Sequence, residues 1–285
     1  MPLRRGIEDL WFGKTAWQGR LKAAAFRRAR RGAPPPSDDP LVVFAIPLVS
    51  RRRAADWARV EQNLADTLGA FRRQSDPRWI AVICGQDAPT LPDDARIRFL
   101  PIALRDMFYD KGHKRRRLVD HVASTLGHDG YYMQFDADDV LHPGAVAHMR
   151  ADHNGRGYII RQGYFVSLSC GFVAPMERFD QSCGSCGAVY VDFRHRRTHR
   201  RLLMALRSHT KIAQTCAEYG QPLAPMPFPA ALYVTGHGEN MIARRGRIAE
   251  RTRSRMRQAL SQTEARGVCT EFGLDPGVVT DRPHG

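Results

Sequence analysis

Hydrophobic residues along this chain come in two rhythms. Short unbroken apolar runs, 41–46 in "LVVFAIPLVS" and 79–84 in "RWIAVICG", have the character of strands buried on both faces. Between them Trp57, Val60, Leu64, Leu68 and Phe71 recur every three to four residues, which predicts a helix over 54–73. The alternation continues. "ARIRFLP" predicts a third strand, "KRRRLVDHVASTLG" a helix with Leu118, Val122 and Leu126 on one face, and "GYYMQFD" a fourth strand. Strands alternating with helices predict a doubly wound, mainly parallel α/β sheet.

After His142-Pro143 a helix is expected, carrying Ala145, Val146 and Met149; beyond it the rhythm changes. "GYIIRQGYFVSLSCGFV" and "CGSCGAVYVDF" are β-rich with little helix between them and predict a smaller mixed or antiparallel layer. "RRTHRRLLMALRSHTKIAQTCAEYG" reads as helical, and "RRGRIAERTRSRMRQALSQTEARG" as a basic helix near the end. Before the first strand, Ile7, Leu10, Trp11, Trp17, Leu21, Ala24 and Ala25 fall near one helical face, with Arg20, Lys22, Arg27, Arg28, Arg30 and Arg31 largely elsewhere. That is the pattern of an interfacial membrane helix, but Gly6, Gly13 and Gly19 weaken the helix, and a helix packed on the domain or a frayed terminus is the favoured reading. "GAPPPSDDP" follows as a stiff linker. The expected division is a basic appendage and linker at 1–36, a domain at 37–245 and a basic helix and tail at 246–285.

Composition adds three limits. The 285 residues are 43% hydrophobic, enough for a substantial core. No apolar stretch is long enough to span a bilayer, and the N-terminus lacks the apolar run of a signal peptide, so a cytoplasmic protein is expected. Six scattered cysteines in a chain this long suit reduced thiols rather than a disulfide framework. The net charge of +15, mostly arginine, would draw anions of several kinds: nucleic acid, anionic lipid or a phosphorylated small molecule. Codon bias toward arginine accounts for such a charge equally well.

The candidate chemistry lies where the fourth strand stops. "FDADDVLHP" delivers Asp136, Asp138 and Asp139 to one point, and in parallel α/β sheets ligands bind at the carboxyl ends of strands. Asp136 and Asp138, two apart, point the same way in an extended segment. Clustered carboxylates raise one another's pKa unless a cation neutralises them. Hard oxygen ligands of this kind suit Mg²⁺ or Mn²⁺ holding substrate phosphates, a reading favoured over a helix N-cap with spare acids.

The segment "DKGHKRRRLVDHVASTLGHDGYYMQFDADDVLHPGAV", with the opening "VFAIPLVSR" and "NLADTLGAFRRQSDPRWIAVICGQDAP", resembles family-2-like glycosyltransferases of the GT-A fold over roughly 41–150. The resemblance implies a Rossmann-like GT-A domain: a mainly parallel sheet flanked by helices, with a smaller mixed β region on the acceptor side. It implies a sugar moved from a nucleotide-diphosphate donor to a glycan or lipid-linked acceptor, with Mn²⁺ or Mg²⁺ as cofactor. Pro47, Leu48 and Ser50 would lie against the nucleoside, with Asp87 near the base. Lys114 and Arg115 would face the pyrophosphate. Asp136 would touch ribose or metal, Asp138 would ligate the metal, and Asp139 would steady the metal shell or the sugar. A late histidine, His237 in "YVTGHGENM", would complete the metal site, although an ordinary loop histidine fits that stretch as well.

An inverting reaction needs a carboxylate base for the acceptor hydroxyl. Glu239, Asp180 and Asp192 are the candidates, Glu239 first. Inversion is favoured, and retention, which could dispense with that base, stays open. Cys183-x-x-Cys186 could form half a zinc site with Cys170, His195 or His199, but a glycine-bearing turn is the preferred reading. The basic ends, 1–31 and 244–257, could hold the protein against the inner face of an anionic membrane. The alternatives are a basic nucleic-acid-binding protein, which leaves the three acids unexplained, and another metal-dependent nucleotide-processing transferase. No GxxxxGK[ST] or GxGxxG is present.

Overall fold

The computed structural model describes residues 19–103, 110–194, 198–240 and 248–280. Its centre is a seven-stranded sheet with β1 (Leu41–Pro47), β2 (Trp79–Gly85), β3 (Ile97–Pro101), β4 (Asp129–Gln134), β6 (Gly157–Ile159), β9 (Gly187–Asp192) and β10 (Ala224–Pro225). Their order is β10-β6-β9-β4-β1-β2-β3. β2, β1 and β4 pair in parallel, as do β2 and β3. β9 alone runs against its neighbours, β4 and β6. A second sheet holds β5 (Val140–Leu141), β7 (Gly163–Ser167), β8 (Phe172–Met176) and β11 (Ala231–Thr235), in the order β5-β11-β7-β8.

The expected α/β class is what forms: a Rossmann-like, mainly parallel sheet flanked by helices, with a smaller mixed sheet beside it. All seven residues of β1 are buried, as a central strand covered on both faces requires. α2 (Trp57–Arg72) buries Val60, Leu64, Leu68 and Phe71, and Phe71 stacks on Phe44 of β1 at 3.9 Å between ring centroids. α3 (Lys111–Thr125) buries Leu118, Val119 and Val122 against β1 and β2. Gly130 is required where β4 opens: a Cβ there would lie 1.9 Å from the Leu41 carbonyl oxygen.

Three expectations change. β6 and β9, expected in the smaller layer, both lie in the main sheet, where β9, with all six residues buried, sits between β4 and β6. The described part of the 196–220 stretch, 198–220, forms two helices, α5 (Thr198–Ala205) and α6 (Ile212–Glu218), broken by a 3-10 turn at His209–Lys211. The terminal basic helix is likewise two, α7 (Ile248–Met256) and α8 (Gln262–Phe272). α8 starts on a capping box in which the Ser261 and Glu264 side chains satisfy each other's backbone N–H groups.

The two ends pack on the core. α1 (19–29) buries Ala23 and Phe26, not the expected Leu21, Ala24 and Ala25. Phe26 meets His199 and Tyr219 edge-on at 5.3 and 5.6 Å, and Lys22 pairs with Glu218 at 2.8 Å. α8 buries Ala265, Val268, Cys269 and Phe272 in a cluster with Val166, Val173 and Leu232 of the second sheet. Ile7, Leu10, Trp11 and Trp17 of the expected interfacial face lie outside the described residues. No helix among the described residues is long and apolar enough to cross a membrane.

Candidate functional site

Asp136–Asp139 is the crossing from one sheet to the other. β4 ends at Gln134; the Phe135 N–H still donates to the Ala45 carbonyl at 3.0 Å, and five residues later Val140 opens β5 of the second sheet. β5 pairs antiparallel with β11, Val140 opposite Leu232, so β11 runs back toward the end of β5 that follows the acids. The loop after β11 therefore arrives at the acids. Asn240 Nδ2 donates to both Asp138 Oδ2 (3.0 Å) and the Val234 carbonyl (3.1 Å).

The three acids have different surroundings. Asp136 is a quarter exposed and pairs with Lys111 Nζ at 2.7 Å. Burial alone would raise its carboxyl, but Lys111, helped by Arg115 and His209, holds it below the usual carboxylate range. Its backbone N–H donates to Ser185 Oγ at 2.9 Å. Asp138 is likewise about a quarter exposed and is backed by Asn240 and by His237, whose Nε2 lies 3.2 Å away, out of hydrogen-bonding alignment. Asp139 is fully buried. Its Oδ2 accepts from Ser185 Oγ (2.6 Å) and Cys183 Sγ (2.9 Å), while Oδ1 is buried without a partner. Burial, with Asp138 and Asp136 beside it, pushes the Asp139 carboxyl well above its ordinary range. Asp139 is thus a structural acid, and Asp136 and Asp138 are the two that face out.

The turn 183–186 is what Cys183-x-x-Cys186 builds. Both cysteines are buried and free. Burial and the Asp139 carboxyl push the Cys183 thiol up, so it stays a thiol and donates to Asp139. Gly184 is needed between them, because a Cβ there would stand 2.8 Å from Asp136 Oδ2. The zinc alternative finds no support: among the described residues no group of three His, Cys, Asp or Glu side chains could hold a metal. His199 packs under α1, and His195 lies outside the described residues.

The expected metal set fits in part. Two outward carboxylates, Asp136 and Asp138, suffice for a hard cation whose other positions come from phosphates and water. His237 does not fit. Its Nδ1 accepts the Glu239 backbone N–H at 3.2 Å and faces Asn63 Nδ2 at 3.0 Å. With Nδ1 used as acceptor, the neutral ring carries its proton on Nε2, the nitrogen turned to Asp138. A ligating histidine donates from its other nitrogen instead. His237 is better described as a buried neighbour of Asp138, anchored by the Glu239 N–H and Asn63.

The remaining candidates divide. Pro47, Leu48 and Ser50 have buried side chains and form the floor of the β1 loop. Asp87 reaches that loop, its Oδ2 accepting the Arg51 N–H at 2.7 Å. Lys114, expected to face a pyrophosphate, is only 1% exposed. Its ammonium donates to the Leu48 carbonyl (2.6 Å) and Asp110 Oδ2 (2.7 Å), which also accepts from Gln86. It ties the loops together rather than meeting a ligand. Lys111, one turn earlier, is the lysine at the acids. Sequence reasoning passed over it because helical register decides which of two nearby lysines faces the strand end. Arg115 sits one turn beyond Lys111 on the same face.

Of the base candidates, Asp192 is at the wrong end of the sheet. It pairs across from Asp129, where β4 begins, and is bonded to Arg194. Asp180 lies on the 3-10 turn Phe179–Gln181, held by Gln181 Nε2 at 2.7 Å. Glu239 stays next to the site but lends Oε1 to the Asp56 N–H at 2.7 Å, tying the loop to the start of α2.

No family model matches the chain, and no curated protein does. Among solved structures, a crystal structure of 4-diphosphocytidyl-2C-methyl-D-erythritol synthase is 12% identical, covering 73% of this chain and 98% of that one at a TM-score of 0.37. The crystal structure of Rv0371c from Mycobacterium tuberculosis H37Rv is 11% identical, covering 69% and 90% at a TM-score of 0.35. At such scores the likeness carries no argument about site or activity.

Proposed function

We propose that the protein is a glycosyltransferase that takes its sugar from a nucleotide-diphosphate donor bound over Asp136 and Asp138. The observation that carries the reading is Asp138. It is a part-exposed carboxylate at the carboxyl edge of a mainly parallel sheet, held from behind by the Asn240 amide, with His237 beside it. A carboxylate supported this way is held in position for a ligand, which a spare helix-capping acid has no need to be. The neighbouring Lys111–Asp136 pair adds a cation at the same edge, suited to a phosphate oxygen. A divalent cation held by Asp136 and Asp138 would stabilise the charge that develops on the leaving diphosphate. The chain's own part is to hold that diphosphate by Lys111 and to keep Asp138 fixed through Asn240. The β1 loop and Asp87 would then take the nucleoside.

The test is a thermal-shift screen of the full chain with UDP, GDP, CMP and dTDP sugars, with and without Mn²⁺. One donor is expected to raise the melting temperature in a Mn²⁺-dependent way, since a ligand of the folded state stabilises it by mass action. Asp138→Asn should abolish that shift while melting normally without ligand. No shift with any donor, or an equal shift in Asp138→Asn, would overturn the reading.

A further inference from the structure

A recess of ≈ 250 Å³ opens between α3 and α5, one helical turn along α3 from the Lys111–Asp136 pair. Arg115, Arg116 and Arg207 line it, together with Gln134 at the end of β4; Tyr132 and Met204 contribute apolar wall. No carboxylate lines it. The charges are only partly answered: Arg115 lies within the field of Asp136 and donates to the Arg207 carbonyl at 3.4 Å, and neither Arg116 nor Arg207 has an ion-pair partner among the described residues. Two donors inside the protein are also unsatisfied: Arg115 Nε and Gln134 Nε2 are buried without a hydrogen-bond partner. Buried polar atoms are almost always bonded, and three guanidinium groups around one hollow repel one another. An oxyanion would answer both needs at once, because guanidinium groups bind phosphoryl oxygens through paired N–H donors.

We infer that this recess binds a phosphoryl group carried by the acceptor, the second substrate of the transferase proposed above, on which the assignment rests. Three arginines around a recess that no carboxylate lines favour a doubly charged phosphoryl group over a single carboxylate. The recess is smaller than the roughly 300–1,000 Å³ of pockets that enclose whole ligands, so it takes the phosphoryl group and little more. One turn of α3, about 5.4 Å, separates it from the acids that would hold the donor. Its role is to hold and orient; the phosphoryl group keeps all its bonds.

Calorimetric titration of the full chain tests this, with inorganic phosphate, glucose 6-phosphate and octyl phosphate as probes. Wild type should bind phosphate. The double variant Arg116→Gln/Arg207→Gln, altered at exposed side chains, should bind at least tenfold more weakly with an unchanged melting temperature. Asp138→Asn should bind as wild type does. Tighter binding of glucose 6-phosphate would assign a sugar phosphate, and tighter binding of octyl phosphate an apolar one; either supports the inference. Equal binding by the double variant, or no binding by wild type, would overturn it. So would competition between phosphate and the nucleotide sugar that stabilises the protein, since that makes the recess part of the donor site. Arginine-dependent phosphate binding in a protein that binds no nucleotide sugar would leave an anion site and remove its assignment to an acceptor.

Discussion

At the scale of single residues, three neighbouring acids do three jobs, and burial separates them. Asp136 is compensated by Lys111, Asp138 faces out with support behind it, and Asp139 is sealed in as an acceptor for Ser185 and Cys183. The sequence shows that acids are concentrated here. It does not show which one turns inward, because that depends on the turn 183–186 arriving from 44 residues away to meet Asp139. A buried carboxyl pushed well above its ordinary range is close to its neutral isostere in cost. Asp139→Asn should therefore keep stability within about 1 kcal/mol of wild type. Asp139→Ala leaves the Ser185 and Cys183 donors without an acceptor and should cost about 1–3 kcal/mol or more. Chemical denaturation measures both. Equal losses in the two variants would show that Asp139 is buried as an anion.

Elements were legible where burial is local and obscure where it depends on partners far away. β1 and β4 could be read from their apolar runs, and α2 from its spacing, because each is covered on every side that its residues demand. β9 could not be placed, since an antiparallel strand between two parallel ones leaves no mark on its own sequence. The break before α8 did have a signal, the Ser261-x-x-Glu264 capping box. The turn 183–186 shows how tightly an element can be fixed by a neighbour. A Cβ on Gly184 would press on Asp136 Oδ2 at 2.8 Å, whereas a Cβ on Gly112 in α3 would meet nothing within 4 Å. Gly184→Ala should destabilise by about 1–3 kcal/mol through overpacking. Gly112→Ala should stabilise by about 0.5–1 kcal/mol through helix propensity. Equilibrium unfolding of the two variants checks the signs; a neutral Gly184→Ala would mean that Asp136 yields freely and is not held.

The molecule as a whole is joined through a buried histidine. His199 on α5 lies beneath α1, edge-on to Phe26 at 5.3 Å and to Tyr190 of β9 at 5.9 Å. Its Nδ1 accepts the Asp192 N–H at 3.0 Å, so one side chain links the N-terminal helix to the antiparallel strand of the main sheet. Burial, reinforced by Arg30, pulls its pKa from 6.5 down to about 4. In the folded state the ring stays neutral until the solution is quite acidic, while in the unfolded chain it protonates from about pH 6.5 downward. The unfolded state then binds the extra proton, and stability drops as pH falls through that window. Between pH 7.5 and pH 5 this single group should remove about 2 kcal/mol of stability. Asp139 acts in the opposite sense, since a raised carboxyl loses stability as pH rises, so the contribution of His199 has to be read by difference. The unfolding free energy of wild type should fall by about 2 kcal/mol more than that of His199→Gln over this range, whatever the offset between them at pH 7.5. Parallel curves would mean that His199 is not buried as a neutral ring, and that α1 does not cover it in solution.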